Sequence, residues 1–366
     1  MGSYMRFVVT SCLMVCFLWF ANSNALGTPP DPPYRVFILH SYEFDHVCGQ
    51  PQHDGVVSAL DKAGLKDQKN LTIETYCMDT KRQNNTEELI HKQAQVAMER
   101  IRSFRPDVLV VLDDNAFRTV ALSLADTSTP IVFCGLNGQP EDYHKQKAFM
   151  ESRERPAHNI TGVYEKLHFV NAIRVHVRLF PETKKVVILS DLSPTGRAIL
   201  EQVRIEMSQE PLPCAHIIQV VQTWEEYKLA ILAANQEPEV GVIYPGALLL
   251  KDGEGNTYTA PEIFAWTREN STQPEIAINY AFTKMGLFGG VAVDFHAMGE
   301  QAGRMAIRIL RGEDPGRIPI EEAERYALVF NLDRARQLGI QIPPDVLLAA
   351  DEVIADKRKG QGLQAQ

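Results

Sequence analysis

The chain of 366 residues is 45% hydrophobic and sets 46 acidic against 37 basic residues, a formal charge of −9. The acidic excess is spread along the chain, so no basic face offers itself to a phosphate backbone, and nucleic acid is not an expected partner. Single cores rarely keep growing past about 250 residues, which favours two lobes with separate cores over one.

Arg6 precedes the apolar run Phe7 to Phe20, and Ser23-Asn24-Ala25 follows it. This pattern predicts a signal peptide over residues 1–25 cleaved after Ala25, then a proline-rich leader over 26–33. A signal anchor is the alternative, although the run is short for a membrane span. Cys16 stands after Leu13-Met14-Val15, a poor lipoprotein box.

From Tyr34 short aliphatic runs alternate with longer amphipathic ones, the pattern of βαβ units around a parallel sheet. "YRVFILH" is a strand and Gln52 to Ala63 a helix stopped by Gly64; "LTIETYC" is a strand and Thr86 to Phe104 a helix capped by Asn85. "DVLVVLD", a helix from Asn115 to Ala125 and the strand "PIVFCG" complete a first lobe, and Gln139 to His158 is a polar surface excursion. "NITGVYE" opens a second series. It runs through the helix His168 to Leu179, "KVVILSD", the helix Pro194 to Met207, "AHIIQVV", the helix Trp224 to Ala234 and "VGVIYP". Thr223 and Glu226 form a capping box. "PEIAINY" and "FGGVAVD" are further strands, followed by the helix Met298 to Leu310 and the unit "YALVFNLDRARQLG". The expected division is lobe 1 over 34–140 plus 288–312, lobe 2 over 159–279 plus 324–350, and a tail over 351–366. Three chain crossings between the lobes would make a hinge, with "GLFGG" at one of them.

Ligands of open α/β sheets bind beyond the carboxyl ends of the strands. The residues there are Ser41, Tyr42, Asp79, Asp113, Asp114, Asn115, Asn137, Glu165, Ser193, Thr195, Gly196, Tyr244, Asn279, Tyr280 and Asp294. Asp, Asn and Ser at such positions also serve as helix caps, so it is their number that favours a ligand site. Ser193, Thr195 and Gly196 at a helix start suit an anion, the aspartates suit an ammonium or hydroxyls, and Tyr42, Tyr244 and Tyr280 suit apolar walls with a polar tip. A zwitterion such as an amino acid matches that polarity.

His40, His46, Cys48 and His53 supply zinc-ligand types, but without a CxxC or HxxxH spacing, so no metal site is expected. A nucleophilic Cys48 with a histidine base has no surrounding signature. Cys48 and Cys77 end neighbouring strands and are the pair to inspect for a disulfide, which export would permit. No P-loop, GxSxG, HExxH or strand-borne GxGxxG occurs, so no cofactor is implied and a binding protein is expected rather than an enzyme.

The pieces "ILHSY", "YCMDTKR", "DVLVVLDDNAF", "PIVFCGLNG", "TGVYE", "VVILSDLSPTG", "GLFGGVAVDF" and "LVFNLDRARQLGIQIPP" together resemble the extracytoplasmic substrate-binding proteins of ABC transporters with a periplasmic-binding-protein type I fold. The likeness is to a branch that also occurs as sensor domains of bacterial signalling kinases. It implies an α/β protein of two doubly wound lobes, a periplasmic location, a small-molecule ligand in the interlobe cleft, a membrane transporter as partner and a monomer. Better-understood relatives bind amino acids and carry a Pro-Asn-Ser run where this chain has Ser193-Pro194-Thr195-Gly196. Tyr42, Phe44, Tyr280, Phe282 and Phe295 would also suit an apolar or lipid-like ligand, and a ligand-sensing partner of a signalling protein is the other alternative.

Overall fold

A computed structural model describes residues 33–355, so the expected signal peptide, most of the leader and the end of the tail lie outside the described residues. The first sheet is formed by β1 (Tyr34–His40), β2 (Leu71–Cys77), β3 (Val108–Leu112), β4 (Ile131–Leu136), β5 (Ile160–Tyr164) and the short β12 (Glu321–Glu322), in the order β12-β5-β4-β3-β1-β2 and parallel throughout. Both faces of this sheet are covered. Val36 and Ile38 of β1 enter one core and Phe37 and Leu39 the other, as a side-chain period of two demands.

On one face α1 (Gly49–Lys62) lies along α10 (Phe295–Leu310), a helix from far down the chain. Glycines let these backbones touch. A Cβ on Gly55 would lie 2.1 Å from the His296 carbonyl oxygen, and one on Gly299 2.0 Å from that of Gln52. Helix α2 (Glu87–Phe104) packs on the other face, and its cap is Thr86, not Asn85: the Thr86 hydroxyl accepts the Leu89 N–H. The expected helix over 115–125 is broken into one α turn (Asp114–Ala116), a π turn (Phe117–Ala121) and a 3₁₀ turn (Leu122–Leu124). The excursion over 139–158 is more ordered than its composition suggests, since α4 (Pro140–Gln146) forms there and Phe149 and Met150 are buried.

The second lobe has a parallel core of β6 (Lys185–Ser190), β7 (Ala215–Val220) and β8 (Val240–Gly246), with α5 (Phe169–Leu179), α6 (Pro194–Gln209) and α7 (Trp224–Gln236). Glu226 donates its N–H to the Thr223 hydroxyl, but its carboxylate takes the Gln222 N–H, so the capping box is shifted by one residue. A hairpin, β9 (Leu249–Lys251) and β10 (Thr257–Thr259), and the helix α8 (Ala260–Asn270) follow. Residues 274–279 are extended beside β8 but are tied by isolated bridges, Ile243 to Glu275 and Asn279 to Val293, rather than by the ladder expected of "PEIAINY".

Two expected boundaries move. β5 pairs with β4, so the start of the second series at 159 belongs to the first sheet. β11 (Gly289–Val293) pairs antiparallel with β13 (Tyr326–Asn331), so it completes the second lobe together with β14 (Glu352–Ile354), and only α10 returns to the first. The crossings therefore follow β5, β11 and β12, and "GLFGG" leads into a lobe 2 strand instead of crossing. Among the described residues no helix is long and apolar enough to cross a membrane.

Candidate functional site

The strand order 2-1-3-4-5 reverses between β1 and β3, and a doubly wound sheet opens a crevice at such a point. Ser41 and Asp113 stand on its two sides. The Ser41 hydroxyl donates to the Leu112 carbonyl (2.7 Å) and accepts the Ala116 N–H (2.8 Å), so this buried side chain pins β1 to the turn after β3. That turn is strained: Asp113 has φ 66° and ψ 176°, a region almost reserved for glycine. The twist sends the Asp113 carboxyl inward, where Oδ1 accepts from Gln52 Nε2 at 3.3 Å and Oδ2 is buried with no partner.

Asp114 is spent within the lobe, accepting the Asn137 N–H (3.1 Å), the Asn137 side-chain amide (2.6 Å) and the Tyr143 hydroxyl. Glu165, just beyond β5, is buried, and among the described residues no donor reaches its carboxyl. Burial, with Asp114 beside it, pushes Asp113 up to about 7, and burial with Asp113 and Asp114 pushes Glu165 up to about 8. The opposing field on both is that of Lys81, whose ammonium lies 3.9 Å over the Tyr42 ring and 3.3 Å from His46 Nε2. This group of carboxyls is thus short of positive charge.

Lobe 2 faces this crevice with α6. Gln202 reaches across and donates Nε2 to the Glu165 carbonyl (2.6 Å) and the Asn137 carbonyl (3.4 Å). One turn on, Glu206 accepts the Val170 N–H through Oε2 at 3.3 Å and faces the N–H groups of Phe169 and His168, while its buried Oε1 is in no hydrogen bond among the described residues. The Tyr244 hydroxyl is likewise buried and unpartnered, and the phenol is held well above its usual value by burial and by Glu206 and Glu165. The start of α6 is filled by the protein itself. Ser193 Oγ accepts the Gly196 N–H (3.0 Å), and Asp191 accepts the N–H groups of Ser193, Leu248 and Leu249. A Cβ on Gly196 would lie 2.2 Å from Asp191 Oδ1, so the anion position expected at Ser193, Thr195 and Gly196 already holds a carboxylate.

Several strand-end residues are occupied as caps. Asn279 accepts the Phe282 N–H, Asp294 the Ala297 N–H, and Asp79 those of Arg82 and Gln83. Asn115 links Thr80 to Arg118. Tyr280 packs edge-on to Phe295, at the β11 crossing. The histidine-rich stretch forms a neutral cluster: His40 Nε2 lies 3.0 Å from His53 Nδ1, and burial drives His40 and His46 down to about 3. Cys48 and Cys77 are free thiols, and among the described residues no group of three or more His, Cys, Asp or Glu could hold a metal ion. A groove of about 570 Å³ with Arg268 and Lys284 lies elsewhere on lobe 2, away from these strand ends.

Lys81, Gln202 and Glu206 escape an inspection confined to strand ends. Lys81 follows Asp79-Thr80 by a single residue. Gln202 and Glu206 carry a usable signal, two polar residues four apart on the helix face that also buries Ile199 and Val203.

The chain is 20% identical over 322 residues to a protein named "Tyrosine-binding protein" from Clostridioides difficile (strain R20291), covering 88% of this chain and 86% of that one. Among solved structures it is similar to the ligand-free, open form of a substrate binding protein with adhesive properties from Clostridium difficile, with TM-score 0.67, 17% identity and coverage of 88% and 100%. It is also similar to an ABC domain in complex with L-Trp from Streptococcus pneumonia, with TM-score 0.62, 18% identity and coverage of 88% and 100%. A family model described as ABC transporter substrate binding protein matches residues 44–354. That match runs from the loop after β1 to the last strand, through both lobes and all three crossings, and the chain belongs to the ABC transporter substrate binding protein family.

Proposed function

We propose that the protein is an exported receptor that captures a small, ammonium-bearing solute between its lobes and delivers it to an ABC transporter. The observation that carries this reading is the pair Asp113 and Glu165: two buried acidic side chains beyond the ends of β3 and β5, on either side of β4, whose carboxyls have between them one donor among the described residues, Gln52. A buried carboxylate without a partner is costly, and a cationic ligand that donates to it removes that cost. The names of the relatives, one a tyrosine-binding protein and one holding L-Trp, support a ligand with an amino group. The family is typically extracytoplasmic, which fits the expected signal peptide.

Thermal unfolding with a panel of primary amines and amino acids, each beside its N-acetylated form, tests this. A ligand at 100 times its dissociation constant adds about 2.7 kcal/mol, so a binder raises the melting temperature measurably. Free amines are expected to stabilise the protein and acetylated ones not. Stabilisation by neutral or anionic compounds alone would overturn the reading.

A further inference from the structure

Behind the crevice, on the hinge side of Gln202, runs a groove of about 360 Å³ between α6 and the residues around β5 and β12. Its charges can be accounted for one by one. Arg153 is held by Glu141, Gln139 and the Tyr164 hydroxyl, Lys166 by Glu322 at 2.9 Å, and Asp142 by Lys145 at 2.8 Å. What is left is acidic: Glu206, and Glu201 on the neighbouring turn of α6, which makes no ion pair among the described residues. Glu206 is 6% exposed and lies at the start of α5, where its carboxylate takes the Val170 N–H and faces those of Phe169 and His168, with Oε1 in no hydrogen bond among the described residues. The crevice and this groove meet at one side chain. Gln202 lines the groove beside Glu206 and also packs against Glu165 and Asn137, where the lobes meet without room for a water molecule.

Two carboxyl positions with spare acceptor capacity, Asp113 with Glu165 and then Glu206, therefore stand on either side of Gln202, and each can receive an ammonium. Among the described residues Lys81 is the one cation near the cleft left to meet an anion, because the α6 start is filled by Asp191 and Arg153 and Lys166 are paired. Its ammonium lies over the Tyr42 ring and beside His46, with its field reaching Asp113 and Glu165. From this arrangement we infer that the solute is a linear diamine or polyamine, one ammonium held at Asp113 and Glu165 and a second at Glu206. This rests on the reading of the cleft as an ammonium receptor and narrows its ligand. The carboxylate of an α-amino acid would instead be placed near Glu206 or Glu165, where like charges repel and the Tyr244 hydroxyl is the free donor, an arrangement that disfavours zwitterions.

Calorimetric titration of the full mature chain with diamines from 1,3-diaminopropane to 1,6-diaminohexane, each against the monoamine of the same length and against L-tyrosine, decides the matter. At least one diamine is expected to bind about tenfold or more tightly than its monoamine, since a hydrogen bond to a buried charge is gained. Glu206→Gln, which keeps an acceptor for Val170, is expected to collapse that ratio toward one. Equal affinities for diamine and monoamine in the unaltered protein, or a ratio that survives Glu206→Gln, overturn the inference. If L-tyrosine binds and diamines do not, the second ammonium position is wrong and ammonium capture stands. If no amine binds at all, both fall. The comparison in the unaltered protein needs no variant to fold.

Discussion

Asp113 concentrates the chemistry of this molecule in one residue. Its backbone lies where only glycine is comfortable, at a cost of order 1–3 kcal/mol, and its carboxyl is buried beside Asp114 and Glu165 with Gln52 as sole donor. Strain and burial together mark a position kept for something other than stability. Because its folded value is raised to about 7, the unfolded chain loses the proton first as pH climbs from 4. Stability contributed by the protonated form is present in acid, falls between about pH 4 and pH 7, and is gone above that. Asp113→Asn is therefore expected to leave stability near pH 4 unchanged and to raise it at pH 8 by about 4 kcal/mol, read by denaturant unfolding at both pH values. The same variant should weaken amine binding by about 2–5 kcal/mol, the cost of removing one partner of a buried charge pair. Binding to the unaltered protein should strengthen from pH 6 to pH 8.5 and release protons, since Asp113 and Glu165 must ionise to receive an ammonium; the groups facing them are Asp114, Lys81, Gln52, Tyr42, Cys48, Cys134 and Tyr244. Calorimetry in two buffers of different ionisation enthalpy reads that release, and affinity flat across this range would sink the assignment.

Among the elements, the α1 and α10 contact and the Arg334–Glu275 pair hold distant parts of the chain together. Gly55 and Gly299 leave no room for a methyl group, so Gly299→Ala must push two helices apart, an overpacking worth about 3 kcal/mol. Arg334 is 1% exposed; it pairs with buried Glu275 at 2.5 and 3.1 Å and donates to the carbonyls of Arg268 and Ser271, fastening α11 (Leu332–Gln337) to the segment after α8. Arg334→Ala strands the Glu275 carboxylate and is expected to cost about 3–5 kcal/mol in urea unfolding. Such contacts also show what a reader of the sequence can and cannot see. β1 to β4 and β6 to β8 announce themselves as aliphatic runs of strand length, and α6 announces its start through Ser193 and Pro194. The sheet to which β5 or β11 belongs is decided by pairing with β4 and with β13, which no local pattern carries, so the expected lobe boundaries fall on the wrong side of both. Asp113 and Glu165 stood out as strand-end acids, but so did Asp114 and Asp294. Only the hydrogen bonds that satisfy the latter two separate caps and braces from free carboxyls.

At the scale of the whole molecule, three crossings of the chain let the lobes move as bodies, and what holds them is whatever bridges the cleft. Gln202 does so here, giving both its hydrogen bonds to the carbonyls of Asn137 and Glu165. Each neutral hydrogen bond is worth about 0.5–1.5 kcal/mol net, so the pair biases the shut form by about tenfold without drawing on the ligand. A ligand seated against Asp113, Glu165 and Glu206 touches both lobes at once and adds its differential affinity for the shut form to that bias. Gln202→Ala should thus raise the open population of the unliganded protein, seen as a larger radius of gyration in X-ray scattering. Saturating ligand should restore the compact value in the variant, and its apparent affinity should fall only by the fraction of shut molecules lost, about tenfold. If the unliganded variant scatters as the parent does, closure is set by the hinge rather than by Gln202. If ligand fails to compact the variant, the contacts with α6 and not the strand-end carboxyls dominate capture, and Glu206 would then outrank Asp113 in the binding energy.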